Sequence, residues 1–267
     1  MKITRTIAET RAALAPGRVG LVPTMGAYHA GHVSLFTAAR EENDLVVASL
    51  FVNPAQFGGP DDLDRYPRDE AADAAIAEKA GVDVLFAPPL EELYPPGYET
   101  WVDVTVASQG LEGAHRPGHF RGVATICLKL FNIVEPDVAF FGQKDAQQVA
   151  VIRQIVRDLR LGLKITVVPT VREADGLALS SRNARLSAAD RLRALAIPRA
   201  LAASISAYRA GQDPEAAARS ELEGLEVDYA NVAVFDGEPT LVVAARAGST
   251  RLIDNVPLNH PELAGLV

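Results

Sequence analysis

The chain has 267 residues, of which 48% are hydrophobic, with a formal net charge of −8 and a pI near 5.2. That length allows one large domain or two modest ones around a substantial core, and the acidic balance argues against a broad nucleic-acid footprint or an anionic membrane surface. The single cysteine, Cys127 in an apolar run, predicts a buried inert thiol without a disulfide, and the lack of a long apolar segment predicts a cytoplasmic protein.

The first two thirds of the chain alternate helical and strand patterns. A short helix is predicted at 5–15. Strands are predicted at 19–22, 44–53, 82–88, 138–141 and 164–168. Further helices are predicted after His32, at 61–80 with a break near Pro67, at 123–134 and from Ala146 to Leu159. Near-continuous apolar strands are typical of parallel strands covered on both faces. The sequence therefore predicts an α/β fold, a doubly wound, Rossmann-like parallel sheet with the five strands in the order 3-2-1-4-5.

Two regions depart from this alternation. Residues 88–118 are rich in Pro and Gly, with one alternating strand predicted at 100–106, and such a long insertion indicates a functional loop. Beyond about residue 170 the pattern predicts a smaller α+β domain. It contains a long helix from Ser187 to about Gly211, a second helix at 214–224, and an antiparallel sheet from segments at 227–236, 240–246 and 250–258.

The stretch from Val19 to His32 is the first candidate for a ligand site. A buried strand is followed by a turn at Pro23 to Gly26, and then by His29 and His32 at or just before the first turn of a helix. Free backbone N–H groups and the helix dipole suit phosphate there. The histidine pair could also ligate a metal, although no third ligand stands in a recognisable pattern. Either histidine alone could be an ordinary surface residue.

Polar groups also follow the other predicted strands. The carboxyl ends of parallel strands meet at one edge, and ligands bind at the switch point between strands one and four. Lys144 and Arg182, with the hydroxyls of Ser180 and Ser181, offer donors to phosphate oxygens. Alternatively, Lys144 is only a solvated charge, and the Ser-Ser-Arg-Asn segment is an ordinary turn. Asp145 could instead cap a helix.

Four further side chains leave alternatives open. Gln56 and Gln148 could bind a carboxylate or hydroxyl, or lie on the surface, and Arg116 and His119 could be ligand groups or loop scaffolding. The sequence lacks a Gly-x-x-x-x-Gly-Lys-Ser/Thr P-loop, a Gly-x-Gly-x-x-Gly fingerprint and a Gly-x-Ser-x-Gly elbow, which argues against P-loop ATPases, dinucleotide-dependent reductases and α/β-hydrolases.

The motifs together resemble one family. His29-Ala-Gly-His32 resembles the His-x-Gly-His signature of the nucleotidyltransferase superfamily. Six further segments narrow the resemblance to the pantoate–β-alanine ligases (pantothenate synthetases). They are Phe51-Val-Asn-Pro-Ala-Gln-Phe57, Asp64-Arg-Tyr-Pro-Arg68, Arg116-Pro-Gly-His-Phe-Arg-Gly-Val123, Phe141-Gly-Gln-Lys-Asp-Ala-Gln-Gln148, Asp175-Gly-Leu-Ala-Leu-Ser-Ser-Arg-Asn183 and Arg251-Leu-Ile-Asp-Asn255. They run in family order from about residue 3 to 256.

The resemblance implies an ATP-dependent ligase. Pantoate's carboxylate attacks the α-phosphorus of ATP to give pantoyl adenylate and pyrophosphate, and the amine of β-alanine then gives pantothenate and AMP. The implied catalytic residues are His32 as proton donor, His29, Lys144, Ser181 and Arg182. The implied ATP-binding residues are Met25, Gly26, Ala27, Tyr28, His29, Ala30, Gly31, His32, Gly142, Gln143, Lys144, Asp145, Val171, Leu179, Ser180, Ser181 and Arg182.

The resemblance also implies pantoate binding by Gln56 and Gln148, and β-alanine binding near Gln56. Mg²⁺ would be held mainly through phosphates and water, without a protein metal site. Residues 1–170 would form the Rossmann-like domain that binds nucleotide and pantoate, and 171–267 a C-terminal lid. A homodimer is also implied.

The chain departs from the family pattern at Tyr28, Ala30 and Ala55, where leucine, an acidic residue and methionine are commoner. These changes bear on the fit of the pocket rather than on the type of reaction. Two alternatives remain: another nucleotidyltransferase without the amide-forming step, and a nucleotide-binding protein without activity. The presence of His32, Lys144, Ser181 and Arg182 weighs against the second alternative.

Overall fold

The computed structural model describes residues 1–59 and 63–259. Two compact units are present: Met1–Gly142 with Gln147–Val168, and Gln143–Ala146 with Pro169–Val267. Each unit has its own sheet and its own hydrophobic core. None of the helices in the described part of the chain is both long and apolar enough to cross a membrane.

The first unit is built on a parallel sheet. Its strands are β1 (Lys2–Thr4), β2 (Val19–Val22), β3 (Leu45–Ser49), β4 (Val84–Phe86), β5 (Val138–Gly142) and β6 (Lys164–Val168). The order across the 6-stranded sheet is β1-β4-β3-β2-β5-β6, and every pairing is parallel. The predicted order 3-2-1-4-5 is confirmed for strands β2 to β6. The edge strand β1 was missed, because a segment of 3 residues is too short to show a period.

Helices cover both faces of this sheet. They are α1 (Ile7–Ala13), α2 (Ala30–Glu42), α3 (Glu70–Lys79), α4 (Leu90–Leu93), α5 (Leu111–His115), α6 (His119–Val134) and α7 (Ala146–Asp158). Successive strand residues point to opposite faces, so Leu21 joins a core cluster with α6 and α7, whereas Val22 joins a second one with α2 and α3. This arrangement confirms the doubly wound class. Cys127 is buried in α6 as predicted, and burial raises the pKa of its thiol to about 12.

Residues 100–106 form no strand, so that prediction was wrong. The alternation is real, because Val102 and Val104 pack against the core while Trp101 and Asp103 are exposed. Among the described residues, however, no strand pairs with this segment, and the N–H of Val102 instead donates to Oγ1 of Thr125 on α6, 3.0 Å away. In the helical region predicted at 61–80, residues 63–64 are helical, the chain is irregular around Pro67 as predicted, and α3 begins at Glu70; residues 61 and 62 of the prediction lie outside the described part of the chain.

The second unit packs helices on an antiparallel sheet. Its helices are α8 (Ala188–Ala194), α9 (Ala196–Arg209) and α10 (Pro214–Glu221), and its strands are β7 (Glu226–Phe235), β8 (Glu238–Ala247) and β9 (Thr250–Pro257), in the order β7-β8-β9. The predicted antiparallel sheet is thus confirmed. The single helix predicted from Ser187 to Gly211 is two helices, because Pro198 cannot donate to the carbonyl of Ala194 and its ring crowds that turn.

Candidate active site

The two histidines stand where the sequence predicted, at the start of a helix after a buried strand. His29 is the N-cap of α2 and His32 occupies its first turn. The N–H of Gly31 donates to Nδ1 of His29 at 3.1 Å, and the N–H of His29 donates to Nδ1 of His32 at 3.3 Å. Because each Nδ1 is an acceptor, each neutral ring carries its proton on Nε2. Both imidazoles are therefore oriented as Nε2–H donors, with ring centroids 4.3 Å apart.

A buried carboxylate holds the loop that leads to the histidines. Asp73 on α3 is only 4% exposed, and it accepts the backbone N–H groups of Ala27 at 2.9 Å and Tyr28 at 2.7 Å. Gly26 has φ +90°, and a Cβ there would lie 2.7 Å from Oδ2 of Asp73. Glycine is therefore required for this close approach. Sequence reasoning missed Asp73, since one carboxylate in a helical pattern carries no sign that its partner lies about 45 residues away.

Tyr28 fills space behind the same loop. Its ring packs edge-on against Phe36 with centroids 5.1 Å apart, and the hydroxyl of Thr24 donates to its hydroxyl at 2.9 Å. Burial raises the pKa of Tyr28 well above its ordinary value. This departure from the family pattern thus adds a structural contact, whereas Ala30 is exposed on the first turn of α2.

Gln56 is buried and oriented by a residue that the sequence did not single out. It ends a 3-10 helix, Pro54–Gln56, and its Oε1 accepts from Nδ2 of Asn53 at 3.0 Å. The same Nδ2 donates to the carbonyl of Gly122, and Oδ1 of Asn53 accepts from the hydroxyl of Tyr94 at 3.0 Å. With its Oε1 occupied, Gln56 retains its amide donors for a ligand oxygen. An Asn before Pro at a strand end was the available signal for Asn53.

Arg116 and His119, left open by the sequence, bind the loop that carries Gln56. His119 is 6% exposed, and its Nδ1 lies 2.9 Å from the carbonyl oxygen of Gln56, to which it must donate. Its Nε2 then accepts from the guanidinium of Arg116 at 3.1 Å. Arg116 also approaches the Gln56 carbonyl at 3.4 Å and the carboxylate of Glu112 at 3.8 Å. These contacts favour the scaffolding role.

We predict that the two hydrogen bonds of His119 have separable effects. His119→Asn places an amide donor near the position of Nδ1, so it should keep the bond to the Gln56 carbonyl, whereas His119→Gln reaches toward Nε2 and Arg116. Because the resemblance assigns pantoate to Gln56, the KM for pantoate should rise ~10-fold in the glutamine variant and less in the asparagine variant. Steady-state kinetics with pantoate varied would measure both. Equal KM values for the two variants would contradict this assignment.

The adjacent glutamines of α7 differ in their surroundings. Gln147 is buried, accepts the N–H of Glu112 at 3.0 Å, and donates to the carbonyls of Ala107 and Gln109. It therefore holds the long loop in place. Gln148, predicted to bind pantoate, is half-buried. Only the structure separates the structural glutamine from the candidate ligand group, because the two are neighbours in the same motif.

In the second unit, the predicted phosphate-binding groups lie on short 3-10 helices. Lys144 sits in Gln143–Asp145, directly before α7, and Asp145 is the last residue before that helix. Ser181 and Arg182 begin Ser181–Arg185, where Oγ of Ser180 accepts the N–H of Arg182 at 3.2 Å. Ser180 therefore serves as the cap of this turn.

Val171 and Leu179 are paired within the second unit. The N–H of Leu179 donates to the carbonyl of Val171 at 2.9 Å, across a hairpin that turns at Gly176 with φ +86°. Nδ2 of Asn183 donates to Glu173 on this hairpin at 2.7 Å, which ties the Ser180 loop to it. Val171, Leu179 and the loop from Ser180 to Arg182 thus belong to one connected loop structure.

The first unit has a doubly wound parallel sheet, with histidine donors after the central strand β2 and a buried glutamine after its neighbour β3. This is the arrangement of α/β enzymes that bind small ligands at the carboxyl ends of their strands. A family model described as pantoate-beta-alanine ligase matches residues 2–257, and the chain belongs to that family. It is a ligase of pantothenate biosynthesis, and the predicted resemblance is confirmed.

Relatives and solved structures agree with this assignment. The chain is 49% identical to a pantothenate synthetase of Herpetosiphon aurantiacus, with 96% of this chain and 99% of the relative covered, and 48% identical to one of Moorella thermoacetica, with 97% and 99% covered. The crystal structure of pantothenate synthetase from Thermus thermophilus matches with a TM-score of 0.92 and 45% identity, covering 97% of this chain and 99% of that one. A pantoate–β-alanine ligase from Francisella tularensis, complexed with beta-gamma ATP and β-alanine, matches with a TM-score of 0.81 and 36% identity over 98% and 99% of the chains.

Proposed function

We propose that the chain joins pantoate to β-alanine in two steps at the expense of ATP. Pantoate's carboxylate oxygen attacks the α-phosphorus of ATP, and the bond to pyrophosphate breaks, which leaves pantoyl adenylate. The β-alanine amine then attacks the acyl carbon, the bond to AMP breaks, and the amine loses a proton. The match to the family over residues 2–257 carries this proposal, and the ligands of the Francisella tularensis relative support ATP and β-alanine as substrates.

We assign the adenylation chemistry in the first unit to His32, with His29 beside it. Adenylation builds negative charge on the α-phosphate oxygens and the leaving pyrophosphate. An Nε2–H donor at the positive end of a helix stabilises that charge, and the backbone contacts to each Nδ1 keep the rings in the required tautomer. Residues Met25 to Gly31 would let the nucleotide lie close to the backbone, consistent with the left-handed backbone of Gly26 and Ala27.

We assign pantoate to Gln56 and Gln148, and β-alanine to the neighbourhood of Gln56. An amide can hydrogen-bond a hydroxyl or carboxylate without adding charge, so it orients pantoate without weakening the nucleophilic carboxylate through an ion pair. The hydrogen bond from Asn53 fixes the orientation of the Gln56 side chain. Its position after β3 is consistent with ligand binding at the carboxyl ends of parallel strands.

The second unit supplies cations and hydroxyls for the nucleotide. We assign the phosphates to Lys144, Ser180, Ser181 and Arg182, the ribose to Asp145, and further ATP contacts to Gln143, Val171 and Leu179. Gly142, the last residue of the first unit before this turn, is assigned a further ATP contact. Lys144 and Arg182 neutralise charge that develops on the phosphates. Pantoyl adenylate is readily hydrolysed, so water must be excluded, and we propose that the second unit acts as a lid.

Mg²⁺ is proposed to enter with ATP as part of the substrate. The described residues contain no group of three or more His, Cys, Asp and Glu arranged to hold a metal ion. Mg²⁺ bound through phosphate oxygens needs few protein ligands, because it keeps most of its water. We further propose a homodimer, which sedimentation analysis would test, and a cytoplasmic location, where ATP is available.

The proposed reaction is tested by pyrophosphate exchange into ATP. Exchange should require pantoate, and net release of AMP should require β-alanine in addition, because adenylate formation precedes the amide step. Exchange without pantoate would indicate a different nucleotidyltransferase. No exchange and no AMP release with all three substrates would indicate a nucleotide-binding protein without activity, and would overturn the proposal.

A further inference from the structure

Asn255 on β9 binds the turn that carries Lys144. It is 4% exposed, and its Nδ2 donates to the backbone carbonyls of Gln143 at 2.9 Å and Lys144 at 2.8 Å. Its Oδ1 accepts from Nε2 of Gln143 at 2.9 Å. Both amide hydrogens and the oxygen of the Asn255 side chain thus form hydrogen bonds with Gln143 and Lys144, which lie more than 110 positions away in sequence.

Its neighbour Asp254 binds the hairpin that contains Val171. Arg172 forms a two-pronged pair with Asp254, with N–O distances of 2.7 and 3.1 Å, and the same guanidinium donates to the carbonyl of Gly176. The Asp254 carboxylate is 3% exposed, and its Oδ1 also accepts the N–H of Asn255 at 2.8 Å. Because consecutive strand residues point to opposite faces, β9 holds the hairpin on one face and the Lys144 turn on the other.

We propose that Asn255 is a positioning residue for ATP, which acts by fixing the backbone of the Gln143–Asp145 turn and so the direction of the Lys144 side chain. A lysine side chain has many rotamers, so its usefulness for phosphate binding depends on where its backbone is fixed. A buried amide that pins two consecutive carbonyls removes the freedom of the turn itself. Asp254 and Arg172 fix β9 relative to the hairpin, so both proposed ATP-binding segments share one support. The inference rests on the proposed role of Lys144 at the phosphates.

The test compares Asn255→Ala and Asn255→Asp with the matched control Asn231→Ala. Asn231 lies on β7 of the same sheet, where its Nδ2 donates to Glu215 at 3.1 Å, away from the Lys144 turn. Asn255→Asp keeps the volume but sets carboxylate oxygens against two carbonyl oxygens, so it is the more disruptive change, whereas the alanine variant removes the two hydrogen bonds without adding a charge. Both Asn255 variants should raise the KM for ATP ~10-fold, with the KM values for pantoate and β-alanine little changed, and the control should alter none of them.

Two further measurements separate positioning from general damage. Amide hydrogen exchange in peptides covering residues 143–148 should be faster in the Asn255 variants and unchanged in Asn231→Ala. In a double-mutant cycle, Asn255→Ala should add almost nothing to Lys144→Ala, because the first acts through the second. Unchanged exchange, or additive losses in the cycle, would overturn the inference.

Failure of the proposed function would look different. If Lys144→Ala by itself left the KM for ATP unchanged, the phosphate role of Lys144 would be wrong, and the positioning role for ATP would fall with it. That result comes from the single Lys144 variant. If only the role of Asn255 were wrong, Lys144→Ala would still raise the KM for ATP, whereas the Asn255 variants would behave like the control.

Discussion

Replacing His32 with alanine should slow pantoate-dependent pyrophosphate exchange by ~10²–10⁴-fold, the range for a positioned group that donates a proton or stabilises charge. The ring stands in the first turn of α2 with Nδ1 facing the N–H of His29, which leaves Nε2–H as its donor. Its loss removes that donor from the phosphate whose charge increases in the transition state. Single-turnover formation of pantoyl adenylate would measure the step directly.

His32 also accepts a hydrogen bond from the backbone N–H of His29, so the test needs a control variant that keeps this bond. His32→Asn can place an oxygen near the position of Nδ1 and so preserve the bond from the N–H of His29, but it has no group at the position of Nε2. We expect it to keep more of the stability and to be as slow as the alanine variant. His115→Ala, which removes an exposed histidine of α5, should leave the rate close to that of the unmodified protein. A near-normal adenylation rate in His32→Ala would exclude His32 from the mechanism.

Gly122→Ala should lower both stability and pantoate turnover, although the glycine lies in the helix α6. A Cβ at this position would lie 2.3 Å from the carbonyl oxygen of Ala55 and 2.6 Å from the backbone nitrogen of Gln56. Both atoms are backbone, so neither can move aside like a side chain. We expect a loss of ~3 kcal/mol in the free energy of unfolding from overpacking, and a fall of ~10²-fold in kcat/KM for pantoate if Gln56 moves by about 1 Å.

Gly162→Ala is the matched control. A Cβ there meets no atom within 4 Å, and the residue does not have the left-handed backbone that penalises alanine. It should stabilise the protein by ~0.4–1 kcal/mol through the unfolded state and leave kcat/KM unchanged. Urea unfolding followed by circular dichroism, with kinetics on the same samples, gives both quantities. Equal unfolding free energies for Gly122→Ala and the unmodified protein would contradict this prediction, because the loop that carries Gln56 would then move aside without loss of stability.

The parts of the site that the sequence predicted are those with a local signal. His29 and His32 were placed at a helix start because an apolar strand precedes them and an apolar period follows them. The strand predicted at 100–106 was wrong, because it also rested on a local signal alone. Its alternation reports which side of the segment is buried, whereas a strand also requires a neighbouring backbone, and no local pattern encodes that neighbour.

The residues that hold the site in place had no such signal. Asp73 binds the loop before His29, Asn53 orients Gln56, and Asn255 fixes the turn of Lys144. Each is a single polar residue whose partners are distant in sequence or belong to another element. Their side chains are types that occur on any surface, so only their burial and their bonds distinguish them.

By itself the sequence determined the doubly wound α/β class, the order of the five strands β2 to β6 and, through its motifs, the ligase family, because periodicity and motif spacing are properties of the chain read locally. The tertiary structure alone decided which glutamine of α7 is structural, why Gly122 lacks a side chain, and how His119 and Asn255 support their neighbours. These are long-range contacts. Their geometry exists only when the chain has folded and buried polar groups have found partners that satisfy them.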